Sequence, residues 1–229
     1  MKNNYLVDAD ETLLDFARSS RESLAAAMEA VSVPYREEMY AVYRTVNDSL
    51  WQRLERGEIT KQRLHEERFR VFFEALEIEG DDRKAGEIYF STLCRTGYLL
   101  PGAGEFLLAL KGRGRVFLIT NGTPEAQYGR LDSCGIRSLF DGIFISDEIG
   151  AAKPSPLFFG TVLKIAGAES RDCVVIGDSL TSDILGARNA GITSVWFNPH
   201  GFPADAVVPD FTARDYGGIL AVLDAIAEQ

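Results

Sequence analysis

The run Tyr5-Leu6-Val7-Asp8-Ala9-Asp10-Glu11-Thr12-Leu13-Leu14 (YLVDADETLL) decides how this chain is read, because an apolar triplet ends on two carboxylates two residues apart. A strand buried on both faces shows as a continuous apolar run, and its burial does not require acidic residues at its end. Taken alone, Asp8 and Asp10 fit a turn, since aspartate favours turns. The alternative is a site at the carboxyl end of a parallel strand, which is where ligands bind in open α/β sheets.

The same arrangement recurs along the chain. Val116-Phe117-Leu118-Ile119 is followed by Thr120-Asn121, Ile143-Phe144-Ile145 by the polar stretch from Ser146 through Lys153, and Cys173-Val174-Val175-Ile176 by Gly177-Asp178. A further apolar run spans Ile192 to Phe197. Between these runs, Thr123 to Cys134, Ser155 to Ala166 and Thr181 to Ala190 have helical spacing and open on good N-cap residues, two of them with proline next. Buried strands alternating with helices predict an α/β fold, a doubly wound, Rossmann-like parallel sheet. Each polar cluster has a plainer reading by itself. Thr120-Asn121-Gly122 fits an ordinary loop, Lys153 a solvated lysine, and Asp183 a complement to a helix dipole. Their shared placement at strand ends argues for one site.

Residues 16–97 follow another pattern. They hold no convincing strand and instead four amphipathic segments, broken near Val33-Pro34, Gly57 and Gly80-Asp81. The expected organisation is a core of residues 1–15 and 98–229 carrying a four-helix cap of residues 16–97. Tyr40, Tyr43, Trp51, Phe69, Phe72 and Phe73 could stack on a ligand, but aromatic residues at helical spacing are more simply core. Arg53, Arg56, Arg63 and Arg68 are interspersed with glutamates and read as a solvated charged face.

Composition narrows the function. The chain has 229 residues, 46% of them hydrophobic, which is enough to fill a core and excludes a disordered or fibrous protein. A formal charge of −10 repels nucleic acid polymers and anionic membranes. Cys94, Cys134 and Cys173 are odd in number, far apart and without metal spacing, so reduced core thiols and a cytoplasmic location are expected. The apolar run after Met1-Lys2 is shorter than the ~7 to 15 residues of a signal segment, and no run reaches the ~18 of a membrane helix. His65 and His200 read as surface residues rather than catalytic ones.

With these residues assembled, the chain resembles the haloacid dehalogenase-like hydrolases. The family's four motifs appear in order as Asp8-Ala9-Asp10-Glu11-Thr12, Thr120-Asn121, Lys153-Pro154 and Gly177-Asp178-Ser179-Leu180-Thr181-Ser182-Asp183. A helical insertion after the first motif is similar to the family's small helical cap. The family usually has glycine where Glu11 stands. That departure, with Leu50-Trp51 and Gly57-Glu58-Ile59-Thr60, resembles the pyrimidine 5′-nucleotidase branch.

The resemblance implies a two-step phosphoryl transfer. Asp8 would be the nucleophile that forms an aspartyl-phosphate, and Asp10 the acid for the leaving alkoxide and then the base for water. Mg2+ would bind Asp8, the backbone carbonyl of Asp10 and Asp178, with Asp183 holding a metal-bound water or Lys153 from outside that set. Thr120, Asn121 and Lys153 would bind the phosphate. Asp10 favours phosphate monoesters over halides, which need no acid. The expected substrate is a small phosphate monoester, foremost a nucleoside 5′-monophosphate selected by the cap. A sugar-phosphate or phosphoglycolate phosphatase, a phosphomutase and a non-catalytic binding protein of the same fold stay open, as does a monomer or homodimer. Glu11 is expected to turn its carboxylate from the phosphate.

Overall fold

The computed structural model describes residues 2–204 and 206–227. Its backbone divides into two compact units, one of residues 1–15 with 98–229 and the other of residues 16–97.

The first unit is built on a six-stranded sheet. β1 (Asn4–Asp8), β2 (Arg115–Thr120), β3 (Gly142–Ile145), β4 (Cys173–Gly177), β5 (Thr193–Phe197) and β6 (Phe211–Ala213) lie in the order β3-β2-β1-β4-β5-β6. Every neighbouring pair is parallel. The register pairs Asp8 with Ile119, Val7 with Ile176 and Thr120 with Ile145, so the carboxyl ends of β1, β2, β3 and β4 share one edge of the sheet.

Helices cover both faces, which is why the strands carry no polar alternation. Tyr5, Val7, Val116, Leu118, Val174 and Ile176 pack on one side with Phe106 and Leu107 of α5 (Ala103–Lys111), Leu131 of α6 (Pro124–Ser133) and Leu223 of α10 (Tyr216–Ala227). Leu6, Phe117, Ile119 and Val175 face the other way, against Phe158, Phe159 and Val162 of α8 (Pro156–Ala166) and Ala187 of α9 (Leu185–Ala190). Each such large side chain, fully buried, contributes about 1.5–3 kcal/mol. The short α7 (Ser146–Ile149) follows β3 directly.

The second unit consists of α1 (Phe16–Ala30), α2 (Glu38–Glu55), α3 (Lys61–Ala75) and α4 (Asp82–Leu93). Thr60 accepts from the Arg63 amide and Asp81 from the Lys84 amide, which starts α3 and α4 on side-chain caps. Tyr43 is its aromatic centre, with ring centroids 5.6 Å from Phe69, 5.6 Å from Phe72 and 5.1 Å from Tyr89. Tyr40, Tyr43, Phe69, Phe72 and Phe73 are all buried core, whereas Trp51 is half-buried with the Lys61 ammonium 5.7 Å from its ring centroid. Arg68 departs from the charged face expected of it. It is buried and lies 4.7 Å from the centroid of the Tyr89 ring, because its guanidinium stacks inward on aromatic rings.

Four elements differ from the sequence expectation. β6, α5 and α10 were not distinguished there, and at three residues β6 is too short to show a strand period. The segment expected as one helix from Thr181 to Ala190 opens as a wide π-type turn over Leu180–Ile184 before α9 begins. Ser179 caps that turn by accepting from the Ser182 amide. Among the described residues no helix is long and apolar enough to cross a membrane. Cys173 is buried, and burial pushes its thiol up to about 11, which disfavours the reactive thiolate.

Candidate active site

Burial and charge meet at the end of β1. Asp8 is buried, and Lys153, from the loop before α8, brings its ammonium 2.5 Å from Asp8 Oδ1 and 2.7 Å from Asp183 Oδ1. The same nitrogen donates to the backbone carbonyl of Ile119 at 3.1 Å. Burial alone would lower the Lys153 pKa, but Asp183 and Asp8 outweigh it and hold the ammonium above its ordinary range. The plainer reading of Lys153 as a solvated lysine therefore fails, because it is buried among carboxylates.

Asn121 secures that lysine through its backbone. Its side-chain carbonyl accepts from the Lys153 amide at 2.8 Å and its amide donates to the Lys153 carbonyl at 2.9 Å. This two-way bond ties the loop after β2 to the loop before α8. Thr120, buried at the end of β2, accepts from the Gly122 amide at 3.1 Å.

Asp178 and Asp183 come from the loop and turn after β4. Ligand atoms of Asp8, Asp178 and Asp183 all lie within 4.8 Å of one another. Asp183 is spoken for on both oxygens, Oδ1 by Lys153 and Oδ2 by the Ser179 amide at 3.2 Å. Gly177 makes that approach possible, since a Cβ there would stand 2.4 Å from Asp183 Cγ. The Asp178 backbone carbonyl accepts from the Trp196 indole at 2.7 Å, which fixes the loop against β5. Thr12 donates a long 3.4 Å bond to Asp178 Oδ1.

Such crowding shows in the acidities. Burial, opposed by Lys153 and reinforced by Asp183, raises the Asp8 carboxyl to about 7. Burial and the charges of Asp8 and Asp183 push Asp178 well above the carboxylate range. Glu11 adds a smaller contribution in the same direction, so its charge is felt at this cluster. Its backbone lies at φ 58°, in the left-handed region that favours glycine, within a tight loop where the Leu13 and Leu14 amides both donate to the Ala9 carbonyl.

Asp10 stands apart from the other carboxylates. Its Oδ2 accepts from Arg130 Nη2 at 2.9 Å and from Gln127 Nε2 at 3.0 Å, while Arg130 Nη1 lies 2.6 Å from Oδ1. The sequence reading missed Gln127 and Arg130. Both occupy the buried stripe of α6 with Ala126 and Leu131, and a polar pair on an otherwise apolar stripe was the available signal. His65 and His200 instead pack against Phe90 and Phe202.

The chain is similar to several known proteins. The family model for haloacid dehalogenase-like hydrolases matches residues 3–191. The chain is 37% identical over 194 residues to the pyrimidine 5′-nucleotidase YjjG of Escherichia coli K12, covering 84% of each protein. It is 34% identical over 222 residues to the pyrimidine 5′-nucleotidase PynA of Streptococcus pneumoniae R6, covering 96% of this chain and 94% of PynA. Among solved structures, the HAD-hydrolase YfnB of Bacillus subtilis, crystallised bound to magnesium, superposes with a TM-score of 0.91 at 29% identity, covering 97% of this chain and 98% of YfnB. With a six-stranded parallel sheet and a family match across most of its length, this chain belongs to the haloacid dehalogenase-like hydrolases.

Proposed function

We propose that the protein is a Mg2+-dependent phosphatase that hydrolyses small phosphate monoesters through an aspartyl-phosphate on Asp8, with pyrimidine nucleoside 5′-monophosphates as its preferred substrates. The observation that carries this reading is the division of labour between two aspartates: Asp8 is held by Lys153 in a buried cluster, and Asp10, two residues on, is held separately by Arg130 and Gln127. A dehalogenase has no use for the second carboxylate. The nucleotide preference rests on the likeness to YjjG and PynA.

The donor set fits a hard divalent cation. Three carboxylates within 4.8 Å share one ammonium, so the buried cluster carries excess negative charge, and oxygen donors suit Mg2+. Since both Asp183 oxygens are engaged, Asp8, Asp178 and the Asp10 backbone carbonyl would hold the ion, with Asp183 keeping Lys153 in place. When bound, the cation supplies charge neutralisation that lets an anionic phosphate approach an anionic nucleophile.

The chain's own residues do the rest. An Asp8 oxygen attacks phosphorus and the ester bond to the leaving oxygen breaks, while Asp10 gives that oxygen a proton. Asp10 then takes a proton from water, which attacks the aspartyl-phosphate and releases inorganic phosphate. Lys153 holds Asp8 in line and offsets charge on the phosphoryl oxygens, and the Thr120 hydroxyl lies at the same strand edge to bind one of them.

A panel of phosphate monoesters with Mg2+ tests the proposal. The expected order of kcat/KM places UMP, dUMP and dTMP above purine monophosphates and sugar phosphates. A preference for sugar phosphates would refute the nucleotide assignment, and absence of phosphate release from every ester would refute the phosphatase assignment.

A further inference from the structure

We propose that Arg130 and Gln127 form a dock that orients Asp10 for proton transfer, and so act as positioning residues for the leaving-group step. The inference rests on the phosphatase reading, and extends it to two side chains outside the four motifs.

The dock is built for one purpose. Arg130 is 1% exposed, although an arginine is seldom buried without a specific partner, and its guanidinium faces both oxygens of Asp10. Gln127 is equally enclosed and donates to the same carboxylate. The two lie three residues apart on α6, so one helix face presents both. Gly122 leaves room for the arrangement: a Cβ at that position would stand 2.2 Å from Gln127 Nε2 and 2.8 Å from its Cγ. Packing alone would be served better by apolar residues on this stripe, because a buried guanidinium is costly unless it is paired.

The geometry also restrains both Asp10 oxygens. Oδ2 takes both directional donations, from Arg130 Nη2 and Gln127 Nε2. Oδ1 lies buried 2.6 Å from Arg130 Nη1, so the guanidinium spans both oxygens and fixes the plane of the carboxyl group. In the transfer, the O–H bond of the Asp10 carboxyl group breaks and an O–H bond forms on the leaving oxygen as its bond to phosphorus breaks. In the hydrolytic step a water proton returns to Asp10. α6 also begins just after Thr120 and Asn121, so the element that follows the phosphate-binding loop is the element that aims the acid.

The test uses leaving groups that differ in their need for a proton. An alkyl ester such as a nucleoside 5′-monophosphate requires one on its departing oxygen, whereas p-nitrophenyl phosphate releases a stabilised phenolate. With the full-length enzyme and Mg2+, kcat/KM reports the chemistry up to release of the leaving group. Arg130→Met and Gln127→Met are each expected to lower kcat/KM for the alkyl ester ~10-fold or more beyond any loss on the aryl ester, a part of the ~100- to 10,000-fold available to acid catalysis. Arg130→Lys should recover part of that ratio, and Gly122→Ala, which displaces Gln127, should reproduce the Gln127→Met pattern. In an Asp10→Asn background, Arg130→Met should change the ratio no further.

Equal losses on both esters would show a merely structural role and overturn the proposal. Gln127→Met, which roughly keeps volume and removes the donor to Asp10, carries the test if Arg130→Met does not fold. Should Asp10→Asn itself lack leaving-group selectivity while the enzyme still releases phosphate, the dock has nothing to orient and is refuted together with the acid role of Asp10, while the phosphatase activity stands. An enzyme inactive on both esters would instead refute both.

Discussion

The Lys153 ammonium stands 2.5 Å from Asp8 Oδ1, across 145 residues of sequence, and the same nitrogen bridges to Asp183 at 2.7 Å. One buried cation thus separates two buried carboxylates that would otherwise repel each other. It links the nucleophile proposed on β1 to the turn after β4.

Lys153→Met should therefore damage both activity and stability. Removing the ammonium leaves Asp8 and Asp183 facing each other in a space closed to water, and breaking a buried ion pair costs about 3–5 kcal/mol. Proton uptake by Asp8 will recover some of that loss. Loss of the charge aimed at the phosphoryl group should reduce turnover by ~100-fold or more. Urea unfolding and phosphate release measure the two effects, and near-wild-type turnover in a folded variant would rule out the role given to Lys153.

The pH dependence of metal-free protein follows from Asp8. Its carboxyl titrates at about 7 when folded, because burial disfavours the charge, against an ordinary value of 3.8. Between those values the folded state holds a proton that the unfolded state has released. Stability contributed by this group is therefore lost as pH rises from about 4 to 7, and Asp178 acts in the same direction. A divalent cation competes with that proton. Mg2+ should raise Tm little near pH 5 and by several degrees near pH 8, relative to chelator-treated protein. Thermal unfolding under the four conditions checks this, and the same Tm with and without Mg2+ at pH 8 would remove the cation from the site.

Glu11→Gly offers a test in the opposite direction. A non-glycine residue at φ 58° costs roughly 1 kcal/mol, and Glu11 adds negative charge near Asp178. Glycine removes both penalties, while its greater freedom in the unfolded chain cancels part of the gain. A net rise of about 0.5–1 kcal/mol is expected, seen as a small upward shift in the denaturation midpoint. A lower midpoint would mean that contacts of the Glu11 side chain outweigh the backbone strain.

Much of this architecture is legible one segment at a time. Asp8, Thr120, Lys153 and Asp178 could be found because apolar runs mark strands buried on both faces, and polar residues stand out where such runs stop. The breaks at Val33-Pro34, Gly57 and Gly80-Asp81 likewise match the gaps between α1, α2, α3 and α4, since turn chemistry is local. β6 escaped notice because three residues cannot establish a period.

Periodicity and turn preference act over a few neighbours, so the order of strands and helices and the set of residues at the strand ends can be read along the chain. Tertiary structure alone decided how those residues are partnered. Asn121 spends its side chain on the Lys153 backbone, Asp183 gives one oxygen to Lys153 and the other to Ser179, and Asp10 meets Gln127 and Arg130 across 117 and 120 residues. Those pairings depend on the sheet order that sets β2 beside β1 and turns one face of α6 toward the loop after Asp8. Periodicity identifies the buried face of a helix, but only the packed chain determines which distant charge that face must satisfy.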